Sequence, residues 1–275
     1  MTFASIMTHV QATPEGEARL QVARDLADAF DATLIGVGAE ALSPAPFADP
    51  TGTMSGEWVV AMRETVEKNL KDAHALYNSR THSLSKKPLW CSGMRIPGDA
   101  LAAAARGADL IVGGHMRTDQ NDPYRFIDLG RLVIAAGRPV LITPKDPPPL
   151  SGKTVLLAWK DSREARRAMA DAMPFFRRAE TVVVLELCHE DDAEDAAIRT
   201  GDVVAALARH GVSARAEVAV TPEGDGHQIL RHASLCGADL IVCGGYGHTR
   251  LGEWVFGGVT HDLLHQDQAY VLLSH

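Results

Sequence analysis

The sequence predicts an α/β protein made of two tandem units, each a doubly wound, mostly parallel sheet. Three observations carry this reading. Gly107-Ala108-Asp109-Leu110-Ile111-Val112 returns as Gly237-Ala238-Asp239-Leu240-Ile241-Val242, a spacing of 237 − 107 = 130 residues. Short runs that are apolar throughout alternate with amphipathic stretches, the pattern of strands buried on both faces by crossover helices. Between the halves, Pro144-Lys145-Asp146-Pro147-Pro148-Pro149-Leu150-Ser151-Gly152 is neither helix nor central strand, because its prolines lack donors and stiffen the backbone. It reads as a linker between units at 1–145 and 153–275.

The first unit opens with a strand over 5–9 and a helix at Thr13-Pro14, where Thr suits the N-cap and Pro the first helical position. A strand at 33–37, a long helix over 57–78 and a strand at 89–94 follow. A helix over 98–106 and strands at 109–113 and 139–143 complete it. In the second unit a strand spans 154–159, and Asp161 with Glu164 forms a capping box for a helix to about 178. A β-branched strand at 181–187 precedes a helix over 191–210 with an acidic first turn, as the helix dipole favours. Next come a strand at 214–220, a helix over 226–235 and a strand at 239–243. A glycine loop, a helix to about 265 and a strand at 270–273 end the chain. Val140-Leu141-Ile142 align with Tyr270-Val271-Leu272 at the same offset of 130, which argues for duplication of the whole unit.

The composition narrows the function. The 275 residues are 46% hydrophobic and 23% charged with a net charge of −8, enough for two packed cores. Scattered Lys and Arg without a basic stripe argue against a nucleic-acid partner. No apolar run approaches the ~20 residues of a membrane span, and the N-terminus lacks a basic leader region, so the expectation is a cytoplasmic protein without a membrane partner. Cys91, Cys188, Cys236 and Cys243 form no C-x-x-C pair and read as reduced thiols, Cys188 and Cys243 within apolar strands.

Chemistry concentrates after the strand at 239–243. Gly244-Gly245-Tyr246-Gly247 sits between strand and helix, where glycines let backbone N–H groups approach an anion and the helix adds its N-terminal charge. Gly257-Gly258 supplies a second close approach, giving the series G-x2-G-x9-G-G. This series resembles the nucleotide motif of the universal stress protein family, in particular its tandem two-domain members. Gly244, Gly247 and Gly257 match the motif, and Val259-Thr260 continue in the family style. Ala158-Trp159-Lys160-Asp161-Ser162-Arg163-Glu164-Ala165 resembles the family's first strand and helix start, and the repeated A-D-L-I-V is a common lead-in to its loop. The resemblance implies five parallel strands per domain in the order 3-2-1-4-5 and pairing of the two domains through their last strands. It also implies ATP or another adenine nucleotide (AMP, ADP) in the second domain, with Mg2+ accompanying the phosphates. The implied nucleotide-binding residues are Gly244, Gly247, Gly257, Gly258, Val259, Lys160 and Trp159.

Two positions depart from the family pattern. Gly258 stands where the family has Ser or Thr, and Lys160 where it often has an acidic residue, with Asp161 beside it. Trp159 is open to two roles, stacking on an adenine ring or filling the core. Tyr246 is placed to cover a ligand, and His248 and Arg250 are further candidates near phosphate. In the first half Gly114 matches Gly244, but Arg117, Ile127 and Asp128 replace Gly247, Gly257 and Gly258. Side chains there occupy positions where backbone would have to approach a ligand, so the first half is expected to be a structural partner.

Other motifs carry less. His261 and His265 stand one helical turn apart, as in H-E-x-x-H zinc sites, but Asp262 is shorter than the Glu such sites use and a third ligand is missing, so no metal is expected. His189-Glu190-Asp191-Asp192 reads as an acidic helix start. Gly152-Lys153-Thr154 lacks the earlier glycine of a P-loop, and no G-x-S-x-G elbow is present. Without a visible base or arginine clamp, hydrolysis would at most be slow. The expected function is a stress-related regulatory module that binds nucleotide in its second domain. The alternative is an interaction protein in which neither domain binds nucleotide, and both leave room for a homodimer.

Overall fold

The computed structural model describes residues 2–43, 56–115, 122–221, 226–245 and 258–275. The first half runs β1 (Ser5–His9), α1 (Pro14–Phe30), β2 (Thr33–Ala39), α2 (Gly56–Thr81), β3 (Leu89–Gly93), α3 (Pro97–Ala104), β4 (Leu110–Gly113), α4 (Leu129–Ala136) and β5 (Val140–Ile142). The second half runs β6 (Thr154–Trp159), α5 (Arg163–Asp171), α6 (Met173–Phe176), β7 (Thr181–Cys188), α7 (Ala193–Arg209), β8 (Ala214–Val220), α8 (Gly226–Cys236), β9 (Leu240–Gly244), α9 (Gly258–His265) and β10 (Tyr270–Ser274). All strands join one ten-stranded sheet ordered β3-β2-β1-β4-β5-β10-β9-β6-β7-β8, so each half has the order 3-2-1-4-5. Pairing is parallel within each half, while β5 and β10 meet antiparallel with Leu141 opposite Leu272.

Helices cover both faces, which is why the central strands are apolar throughout. On one face α1, α2, α5 and α7 pack over alternate strand residues such as Ile6, Val112, Val155 and Val242. On the other α3, α4, α8 and α9 pack over Met7, Ile111, Leu156 and Ile241. Each core is continuous across both halves. Phe3 and Phe30 of the first half, 5.1 Å apart, meet Phe175 of the second edge to face at centroid distances of 5.3 and 5.4 Å. Arg178 lies over the Phe30 ring at 4.6 Å and donates to the Ala29 carbonyl at 2.7 Å.

The repeated hexapeptide has the same job twice. Asp109 accepts from the backbone N–H groups of Ala4 and Ser5 at 2.8 and 3.1 Å. Asp239 accepts from those of Ser151 and Gly152 at the same two distances. Each carboxylate ties the entry to its half's first strand to the foot of its fourth. The hexapeptide is a framework repeat rather than part of a binding loop.

Two expectations need correction. The helix predicted from Asp161 to about 178 is two helices, because Pro174 lacks an N–H and disfavours continuation of the ladder, and α5 ends at Asp171. Its N-cap is Ser162, whose hydroxyl accepts from the Ala165 N–H at 3.2 Å, rather than Asp161. Helix α4 was not predicted. It is only eight residues long, capped by Asp128 and closed by Gly137 at φ 58°.

Candidate functional site

In open α/β sheets ligands bind beyond the carboxyl ends of the strands at the switch point, here between β6 and β9 and between β1 and β4. The second half places Trp159, Lys160 and Gly244 there, with Ala158 of β6 in register with Cys243 of β9. A Cβ on Gly244 would lie 2.6 Å from both Ala165 N and Glu164 C. Glycine at this position lets the end of β9 abut the first turn of α5. Lys160 is exposed, and its carbonyl accepts the Ser162 N–H at 2.6 Å. Gly258 opens α9, and no heavy atom of the described residues stands within 4 Å of where its Cβ would be. Val259 follows, half-buried against the second core. Gly247 and Gly257, with Tyr246, His248, Arg250 and the first half's Arg117, lie outside the described residues.

Trp159 packs into the first core at 7% exposure, yet its indole N–H meets no acceptor among the described residues. Its register partner on β7 is Glu186, also buried, whose Oε2 is likewise unpaired. Strand alternation sends both side chains to the face covered by α5 and α7. The other carboxylate oxygen, Oε1, accepts from Arg199 Nε and Nη2 at 2.9 and 2.6 Å, and Arg199 also pairs with Asp192. These two carboxylates hold the Arg199 guanidinium charged by direct hydrogen bonds. Glu186 and Arg199 went unread in the sequence, although a carboxylate inside the apolar run Thr181-Val182-Val183-Val184-Leu185-Glu186-Leu187-Cys188 is the available signal. Burial pushes the Cys243 thiol up to about 12, so it is inert packing.

The histidine pair on α9 is engaged locally. The two rings lie 4.2 Å apart, His265 Nδ1 donates to the His261 carbonyl at 2.8 Å, and Asp262 accepts the Gly226 N–H. Among the described residues no cluster of His, Cys, Asp and Glu is arranged to hold a metal ion.

The first half, expected from its missing glycines to be a structural partner, also carries a cavity at its strand ends. A cavity of about 610 Å3 opens at the ends of β1 and β4, lined by His9, Gln11, Arg19, Gly114 and the segment containing Ile127 and Asp128. Equivalent positions in the two halves' first strands and helices differ by 162 − 13 = 149, from the two N-caps. Arg19 therefore stands where the second half has Ala168. It is 8% exposed, donates from Nε to the His9 carbonyl at 3.0 Å and from Nη2 to Gln11 Oε1 at 3.4 Å. A Cβ on Gly114 would touch its Nη1 at 2.7 Å, so glycine there admits the guanidinium. Burial lowers the Arg19 pKa to about 10, with Glu15 opposing, and the group stays charged at neutral pH. His9 is buried, and desolvation, assisted by Arg19, lowers its pKa to about 3. Its Nε2 lies 2.9 Å from the Ala39 carbonyl, which can only accept, so Nε2 carries the proton and Nδ1 is an acceptor.

The fold and these strand-end sites define a class: tandem doubly wound α/β proteins with one candidate ligand site per half. Residues 152–274 match the model of the Universal stress protein family. The whole chain is similar in fold to a universal stress protein from Archaeoglobus fulgidus DSM 4304, at 13% identity and a TM-score of 0.71, covering 98% of this chain and 95% of that one. It is also similar to a functionally unknown protein from Pseudomonas aeruginosa PAO1, at 18% identity and a TM-score of 0.61, covering 99% and 92%. No curated protein sequence matches. No helix among the described residues is long and apolar enough to cross a membrane.

Proposed function

We propose that the second half binds ATP or another adenine nucleotide and that the protein acts as a nucleotide-responsive regulatory module. The observation that carries this is the buried pair at the ends of β6 and β7, Trp159 Nε1–H and Glu186 Oε2. An unpaired donor beside an unpaired acceptor, both out of water, costs stability unless something completes them. The Watson–Crick edge of adenine offers an acceptor and a donor of the matching kind. The glycine series from Gly244 to Gly258 would take the phosphates through backbone N–H groups, Val259 would follow at the start of α9, and Lys160 would meet phosphate at the mouth. Mg2+ would travel with the phosphates. Among the described residues none of this donor set positions a water for attack, and we read the role as binding. The antiparallel contact of β5 with β10 supports reading the chain as a one-chain counterpart of a two-domain pair.

Isothermal titration with ATP and AMP tests this, using wild type and Gly247→Asp. The expected result is one saturating site per chain, lost in the variant, which places a carboxylate where the phosphates would lie. No heat and no thermal shift at millimolar nucleotide would leave the alternative, an interaction protein without nucleotide.

A further inference from the structure

We infer that the cavity of the first half is a second, different site, which binds a small organic anion with an apolar body through the buried guanidinium of Arg19. The proposal does not rest on nucleotide binding by the second half. Its first support is the cost of what is buried. A cation out of water is strongly disfavoured unless it is paired. Among the described residues no carboxylate comes within ion-pair distance of Arg19. The carboxylates on the cavity wall do not replace one. Asp128 caps α4 through the Arg131 N–H, Asp122 accepts the Tyr124 N–H, and Glu15 acts on Arg19 only through its field.

The second support is geometry. Nε and one Nη2–H of Arg19 are engaged with the His9 carbonyl and Gln11, which orients the guanidinium and leaves its Nη1 edge to the cavity side at Gly114. A planar fork held this way suits a carboxylate or a phosphate ester. The lining also includes the apolar side chains of Phe126, Ile127 and Leu129. A buried guanidinium together with these apolar side chains, in a cavity of about 610 Å3 that Arg125 and Lys145 also line, fits a ligand with an anionic head and a hydrocarbon or aromatic body.

The third support is the contrast between halves. Gly244 lets the end of β9 abut the backbone of α5, whereas the nearest atoms to a Cβ on Gly114 belong to the Arg19 side chain carried by α1. The same glycine thus serves close helix packing in one half and admits a cation in the other. With Ala168 in the equivalent helical position, the second half has no such anchor.

The test uses the full chain carrying Gly247→Asp, so that the second half's loop does not contribute. Benzoate and inorganic phosphate are titrated by calorimetry and followed by thermal shift. Benzoate is expected to bind one site per chain, equally with and without Gly247→Asp, and phosphate more weakly because it lacks the apolar body. Arg19→Met should weaken benzoate at least tenfold, and Arg19→Lys, which keeps the charge but not the fork, should weaken it less. If Arg19→Met does not fold, Gly114→Ala answers instead: its methyl pushes the end of the Arg19 side chain aside and should weaken benzoate several-fold in a folded chain. Absence of benzoate binding, binding unchanged by the Arg19 and Gly114 variants, or binding lost with Gly247→Asp alone would each overturn the assignment. Phosphate binding tighter than benzoate would overturn the apolar body.

Discussion

Acidification should destabilise this protein through one residue, His9. It is 1% exposed, and burial, with the Arg19 charge as the second cause, lowers its pKa from 6.5 to about 3. Because the folded-state value is the lower one, the unfolded chain takes up the proton first as pH falls. The stabilisation is therefore whole above about pH 6.5 and drains away as pH falls toward about 3. Between pH 7 and pH 5 the loss is about 2 kcal/mol, from ~1.4 kcal/mol per unit over about one and a half units. With a urea m-value of about 3 kcal/mol/M, that moves the unfolding midpoint by roughly 0.7 M. His9→Gln keeps an N–H for the Ala39 carbonyl and removes the titration, so its midpoint should fall by much less between the two pH values. Urea unfolding of both proteins at both pH values is the assay. Equal pH dependence in the two, or a His9 ring proton resonance titrating near 6.5, would refute the reasoning.

Three substitutions test the packing. Gly244→Ala forces a methyl against the α5 backbone and should cost about 1–3 kcal/mol by overpacking, read as a lowered thermal midpoint. Gly258→Ser meets open space and restores the hydroxyl that the family places here, so stability should hold within about 0.5 kcal/mol while ATP affinity rises in calorimetry. Phe175→Ala removes the second half's share of the aromatic cluster. It should cost about 3–5 kcal/mol in chemical unfolding, with both halves affected because Phe3 and Phe30 lose their partner.

Much of the fold was legible because each half repeats one pattern. All ten strands lie within a residue of where apolar runs place them, or begin there and extend slightly further, and Thr13-Pro14 announces α1 directly. What escaped was short or interrupted. Helix α4 has eight residues, too few for helical periodicity to stand out beside the apolar strand that follows. Pro174 signals the break after α5, but Pro at an early helical position is also compatible with a new helix, which is the outcome in α6. The glycines of the second site were visible as spacing, whereas Glu186 with Arg199 required tertiary contact to be noticed. Arg19 was hidden differently. It shares the buried stripe of α1 with Ala23, Leu26 and Phe30, and a cation on an apolar stripe ordinarily reads as a surface residue at the stripe's edge.

The duplication and the divergence are written in different elements. The Asp109 and Asp239 carboxylates do the same work at the foot of the fourth strand, so selection for folding alone accounts for the repeated hexapeptide. Differences gather at the opposite, carboxyl ends of the same strands, where a change alters ligand contacts without disturbing the ladder. There Val10 and, one past the His9–Val37 register pair, Gly38 stand where the second half has Trp159 and Glu186, so the first half has neither the orphaned donor nor the orphaned acceptor. Conversely, Ala168 of the second half has nothing to match the buried charge of Arg19. If one half were only support for the other, its strand ends would be free to fill with apolar side chains, the cheapest way to close a cavity. The first half instead retains a neutral buried histidine and an arginine without an ion-pair partner among the described residues, both beside open volume. If both proposed sites bind as argued, loss of the glycine loop marks a change of ligand rather than the loss of a site.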